Sequence, residues 1–81
     1  MAQPSDVVIL EHARKRAQDR GIDEEDIRRA AAGPDVVWSA RPNAKTGRHR
    51  AKHVRKIGTR RLCVVVEHRG TTLVAVTAYW L

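Results

Sequence analysis

RHRAKHVRKIGTRRLCVVVEHRGTTLVAVTAYW, residues 48–80, decides the fold. Gly58-Thr59 and Arg69-Gly70 interrupt this stretch, and the pieces on either side carry valine, isoleucine, leucine, threonine and aromatic residues at strand-like density. Short segments of that composition separated by glycine-containing turns predict a three-stranded antiparallel meander over residues 48–57, 60–68 and 71–80. The last two segments are the most apolar, which places them centrally in the sheet. Upstream, Val36-Val37-Trp38 also has strand composition, and the polar run from Pro42 to Gly47 reads as a loop, so residues 35–41 are expected as a further strand.

Before Gly33-Pro34 the pattern is helical. Leu10, Ala13 and Ala17 are spaced to give one narrow small-residue stripe, closed by Gly21. The start of this helix is open to two readings: Ser5 as its cap, or Val7 to Leu10 as a short extended lead-in to a helix beginning near Glu11. A second helix follows Asp23, with Glu24, Glu25 and Asp26 at the positive end of its dipole and Ile22 and Ile27 at the spacing of a hydrophobic staple. The expected architecture is α+β: helices over about 10–20 and 24–32 packed on one face of a four-stranded antiparallel sheet, the other face left to solvent or substrate.

With 81 residues the chain makes one domain, and its core is thin, because domains of this size bury only about 60% of their unfolded surface. The longest aliphatic stretches fall far short of the ~20 apolar residues of a membrane span, and no basic leader precedes an apolar run, so a cytoplasmic protein without membrane contact is expected. Cys63 has no second cysteine to pair with. The formal charge of +7 is unevenly placed: residues 1–33 hold six Lys/Arg against seven Asp/Glu, and residues 34–81 hold ten against two. Between Arg41 and Arg61 lie Arg41, Lys45, Arg48, Arg50, Lys52, Arg55, Lys56, Arg60 and Arg61, with no carboxylate among them. Such a run attracts polyanions by electrostatic steering and counterion release; nucleic acid, as RNA including ribosome-associated mRNA, is the expected partner, the alternatives being a solvated surface or a docking face for an acidic protein.

The chemistry available is limited. His49 and His53 have zinc-ligand spacing on a helix, but on a strand the same separation is roughly 13 Å. Only Asp35 and Glu67 lie in the sheet portion, which disfavours a two-metal nuclease, and no glycine-rich phosphate loop is present. No metal or other cofactor is therefore expected. Metal-free RNA cleavage needs a base for the 2′-hydroxyl, an acid for the leaving oxygen and fixed cations at the phosphate. His12 is the candidate base or acid, with Arg16 and Arg20 on successive turns after it. Strand alternation puts Arg48, Arg50, Lys52, Val54 and Lys56 on one face and His49, Ala51, His53, Arg55 and Ile57 on the other, so His53 and Arg55 are expected to approach the first helix. In the final strand, alternation groups Thr77 and Tyr79 with Leu73 and Ala75, a hydroxyl pair able to bind a phosphate.

HARKRAQDRGI from His12, PDVVW from Pro34, IGTRRLCVVVE from Ile57 and LVAVTAYW from Leu73 together resemble a group of small bacterial domains of unknown function. By fold analogy that group stands beside the RelE-like and BrnT-like ribonuclease toxins of the barnase–EndoU–colicin–RelE type. The resemblance spans roughly residues 10–80. It implies the toxin half of a toxin–antitoxin pair, a metal-independent endoribonuclease, and an acidic antitoxin as partner. It matches His12, Arg16, Arg20, Thr77 and Tyr79 in position, and the basic strand in character only. The expected catalytic set is His12, Arg16, His53, Arg55, Thr77 and Tyr79. Arg20, Arg41, Lys45, Arg48, Arg50, Lys52, Lys56, Arg60 and Arg61 are expected to bind RNA. The alternatives are a non-catalytic RNA- or ribosome-binding module and a basic interaction domain for an acidic protein.

Overall fold

The computed structural model describes residues 6–81. In chain order they form β1 (Asp6–Ile9), α1 (Glu11–Asp19), α2 (Glu24–Ala32), β2 (Val36–Ser39), β3 (Arg50–Ile57), β4 (Arg60–Arg69) and β5 (Thr72–Trp80). The expectation of a four-stranded antiparallel sheet is corrected here: the sheet has five strands in the order β1-β5-β4-β3-β2 and is mixed. Val7, Val8 and Ile9 form the extended lead-in that was one of the two readings, and β1 pairs parallel with β5, Val7 opposite Leu73 and Ile9 opposite Ala75. A β-branched run is a poor helix start, and the free edge of β5 offers its backbone a ladder. A helix starting at Ser5 would fall partly outside the described residues; α1 begins at Glu11.

The meander follows from its turns. Ile57 pairs with Arg60 across Gly58-Thr59, and Arg69 pairs with Thr72 across Gly70-Thr71. Gly58 and Gly70 have φ of +63° and +61°, and among the described residues none other than glycine has positive φ. Glycine alone in the left-handed region at the first turn position is the II′ arrangement, whose twist matches the strands it joins.

Both helices cover one face of the sheet. Ala13 and Ala17 of α1 and Ile27, Ala30 and Ala31 of α2 are buried against Ile9, Ala51, Leu62, Val64, Val66, Ala75 and Ala78. Alanine on the helices lets them lie close to the strands, which is how a short chain closes its core. Asp23 stands at the N-cap of α2 with extended backbone but makes no side-chain capping bond, while Ile22 and Ile27 are both buried.

One irregularity decides what the other face displays. Val65 pairs with Thr77 but Val66 pairs with Ala75, so β5 carries one extra residue, Val76, at a bulge. Strict alternation along β5 therefore fails, and the expected grouping of Thr77 and Tyr79 with Leu73 and Ala75 is corrected. Ala75, Ala78 and Trp80 pack with the helices, whereas Thr77 and Tyr79 lie beside Val65 and Cys63 on the open face.

Candidate nucleic-acid interface

The open face is built from cross-strand rows. Trp38 of β2, Lys52 of β3, Val65 of β4 and Thr77 of β5 form one row, and Val36, Val54, Cys63 and Tyr79 form the next. Beyond the first row Arg50 faces Glu67, and beyond the second Lys56 faces Arg61. The Arg61 guanidinium lies 5.9 Å from the centre of the Trp38 ring, within cation–π range. Val54 and Cys63 are nevertheless fully buried, since the longer side chains around them close over the middle of the face. A hydrogen bond with Cys63, and then burial, hold the Tyr79 hydroxyl above its ordinary pKa, so it stays protonated at neutral pH.

Where β2 runs into the loop before β3, Ser39, Ala40, Arg41, Pro42, Arg50, Lys52 and Val65 line a broad, open cleft of about 720 Å³. One of its cations, Arg50, is held in place by a buried carboxylate. Glu67 is completely inaccessible; its Oε1 accepts from Asn43 Nδ2 at 2.8 Å and Arg50 Nε at 2.9 Å, and its Oε2 accepts from Arg69 Nε at 2.6 Å. Hydrogen bonds from Asn43 and Arg69, then Arg50, hold this carboxyl down to about 2 against the opposing effect of desolvation. Asn43 also organises the loop: its Oδ1 accepts from the Lys45 and Thr46 backbone N–H groups, and its own N–H donates to the Arg48 carbonyl. One asparagine thus couples the loop to the sheet, and one glutamate couples both to the cleft arginine. Neither was singled out from sequence. The available signal was a lone carboxylate in the apolar strand β4, on the same alternation as Val65 and Arg69.

The sequence-derived set divides into separate groups. His12 and Arg16 are exposed on α1. Arg20 Nη1 donates to the Ala78 carbonyl at 2.7 Å and the Arg20 carbonyl accepts from Trp80 Nε1 at 3.0 Å, which fastens the end of α1 to β5. His53 and Arg55 do not approach the first helix; they close the C-terminal end of the second. His53 Nδ1 donates to the Ala31 carbonyl at 2.8 Å, and Arg55 Nη1 donates to the Gly33 carbonyl at 2.7 Å. Carbonyls at a helix C-terminus lack intrahelical donors, and β3 passes beneath this one. Burial, helped by His68, keeps the His53 pKa below its ordinary value. Thr77 and Tyr79 lie across the sheet from His53 and Arg55, so the six expected catalytic residues do not meet in one cleft.

The nine expected RNA-binding cations also separate. Arg41, Arg50, Lys52, Lys56 and Arg61 occupy the open face or its rim, and Lys45 and Arg48 lie on the loop. Arg60 is on the helix side, stacked 4.2 Å from the Trp80 ring centre, and Arg20 is bound to β5. His49 stands beside His68, ring centres 5.1 Å apart, and among the described residues no group of three or more histidine, cysteine or acidic side chains is placed to hold a metal ion. Nor is any described helix long and apolar enough to cross a membrane.

An α+β domain with a helix-covered face and a cationic open face is the class defined by this arrangement. Residues 9–80 match the family described as Domain of unknown function (DUF4258), and the chain belongs to that family. No curated protein and no solved structure matches it.

Proposed function

We propose that the open face binds single-stranded RNA, with Arg41, Lys52, Lys56 and Arg61 along the phosphates and Trp38 as a stacking surface. The observation that carries this reading is the gathering of those cations beside an exposed tryptophan on one face, where the nearby carboxylate, Glu67, is already occupied by Asn43, Arg50 and Arg69. Single strands are held by this combination: cations follow the backbone, and each stacked base contributes about 1–3 kcal/mol. The cleft by Arg41 is lined by apolar Pro42 and Val65 and by the cations Arg41, Arg50 and Lys52, groups that can meet a base and its phosphate. Residues 10–80 resemble small bacterial domains that stand by fold analogy beside the RelE-like toxins, and that analogy favours RNA over DNA as the ligand.

Binding, rather than cleavage, is what the residue positions support, because His12 and Arg16 are on α1 and the cations are on the face that the helices leave open. The test is fluorescence anisotropy with labelled oligouridine and oligodeoxythymidine at low salt, in EDTA, followed by electrophoresis of the recovered RNA. Intact RNA bound by the wild type, with binding lost in the Lys52→Glu/Arg61→Glu variant, is expected. Cleavage that disappears in His12→Ala would return the ribonuclease-toxin reading to first place, and absence of binding to either polymer sinks the nucleic-acid reading.

A further inference from the structure

The two edges of the sheet differ. At the β1 edge, Arg28 of α2 reaches over and donates from Nη1 to the Val7 carbonyl at 2.6 Å. At the β2 edge, among the described residues, no hydrogen bond to Val36–Ser39 comes from anywhere but β3. Alternate N–H and C=O groups of an edge strand point away from its neighbour, so β2 presents an unused half-ladder. Edges left open are commonly blunted by charge; β2 reads Val-Val-Trp-Ser, and all four side chains are exposed.

The faces of those side chains identify the kind of cover they fit. Val36 and Trp38, 39% and 41% exposed, lie on the open face, and Val37, 56% exposed, lies on the helix side opposite His53. A ligand lying on the open face reaches Trp38 but not Val37. A strand added alongside β2 reaches all three, because its own side chains alternate across both faces. Around this edge the charge is positive: Arg41 follows β2, Lys52 pairs with Trp38, and Arg61 lies over the Trp38 ring. The acidic neighbour at its start, Asp35, accepts the Lys56 backbone N–H through Oδ2. Pro34 and Pro42 bracket the edge and confine the pairing to residues between them.

We propose that β2 is a docking edge for an acidic polypeptide segment, which adds as a further strand, covers Val37 on the helix side with one row of alternate apolar side chains, and sets the carboxylates of the other row on the open face, beside Trp38 and against Arg41, Lys52 and Arg61. A second copy of the chain is the poorer occupant. Pairing β2 with β2 would bring two chains of formal charge +7 together at their most basic region. The inference does not depend on the nucleic-acid reading, since it turns on the backbone of β2 and on Val37.

The probe is a capped seven-residue peptide of alternating glutamate and valine, titrated into the full 15N-labelled chain. Its controls are the lysine–valine analogue and a glutamate–valine peptide N-methylated at two alternate amides. The expected result is perturbation and slowed exchange of the amides of residues 36–39 with the acidic peptide, affinity about tenfold lower after N-methylation, through loss of two backbone hydrogen bonds, and no binding of the lysine analogue. Val37→Ala should weaken the peptide severalfold and leave oligouridine affinity unchanged. Perturbation confined to Arg41, Lys52 and Arg61, or binding indifferent to N-methylation, overturns the strand-addition proposal in favour of simple charge attraction. Protection of residues 36–39 in the free protein, together with a dimer by sedimentation equilibrium, overturns it in favour of a second copy, and absence of binding overturns it outright.

Discussion

Salt is the most discriminating perturbation of the open face, because the cations on it can be counted. Arg50 is paired with Glu67 at 2.9 Å, which leaves Arg41, Lys52, Lys56 and Arg61 as cations on that face or its rim without a carboxylate partner among the described residues. Each phosphate neutralised on a single strand contributes about 0.7 to the slope of log affinity against log salt, so four give a slope of about −2.8. Between about 50 and about 200 mM salt, oligouridine should then bind roughly fiftyfold more weakly. Removing two contacts in Lys52→Ala/Arg61→Ala should halve the slope and reduce the loss to roughly sevenfold. Lys15→Ala, on the exposed surface of α1, is the control and should leave the slope unchanged. The assay is anisotropy at several salt concentrations, with circular dichroism to confirm folding. If wild type and double variant weaken in parallel, phosphates are not meeting this face, and the assignment of the basic run to it is refuted.

Stability should respond to pH through two groups. The Glu67 pKa is lowered on folding from 4.5 to about 2, so its stabilising contribution is complete above about 4.5 and is lost as pH falls toward 2; thermal unfolding across that range should show a steep fall that Glu67→Gln flattens at a lower starting stability. His53 is also lowered, so the unfolded chain takes up its proton first and stability should erode as pH drops below about 6.5; His53→Gln should reduce that slope in urea titrations at successive pH values. Leu62 is fully buried between β3 and β5, and Leu62→Ala should cost about 2–5 kcal/mol by urea unfolding, a large part of the stability of so small a domain. At the β3–β4 turn nothing lies within 4 Å of the position a Gly58 Cβ would occupy, so Gly58→Ala should cost only the positive-φ backbone, about 1–3 kcal/mol, and a loss beyond that range would contradict the open space around the turn.

Local signals made the meander readable. The turns at Gly58-Thr59 and next to Gly70 and the alternation of β3 depend on neighbouring residues, and so does the division of β3 into a cationic row and a half-buried row. What local pattern could not supply was partnership between distant elements. β1 is four residues long and finds its ladder in β5, more than sixty positions along the chain, and no turn announces a parallel pair. Likewise His53 and Arg55 were readable as polar groups on the helix-facing row, but which helix they meet depends on packing: α2 ends above β3, and its final carbonyls take both donors. Glu67 illustrates the same limit, since its partners come from the loop, the neighbouring strand and its own strand.

The bulge at Val76 has the largest consequence for how the site is read. With regular alternation, the row that includes Ala75 would also include Thr77 and Tyr79, and their hydroxyls would lie beneath the helices near His53 and Arg55. The extra residue in β5 shifts the remainder of the strand by one position, so Ala78 and Trp80 enter the core and Thr77 and Tyr79 move to the open face. Small Ala78 suits the space beneath α1, where Arg20 reaches its carbonyl, and the Trp80 indole can then return a hydrogen bond to Arg20. Thr77 consequently ends in the same row as Lys52 and Trp38, and Tyr79 lies beside Cys63. The hydroxyl pair matched by resemblance is therefore available to a ligand on the cationic face and separated by the sheet from His53. A polyanion on the open face can use Thr77 and Tyr79 together with Lys52, whereas chemistry requiring them together with His53 would require the strand to lose its bulge.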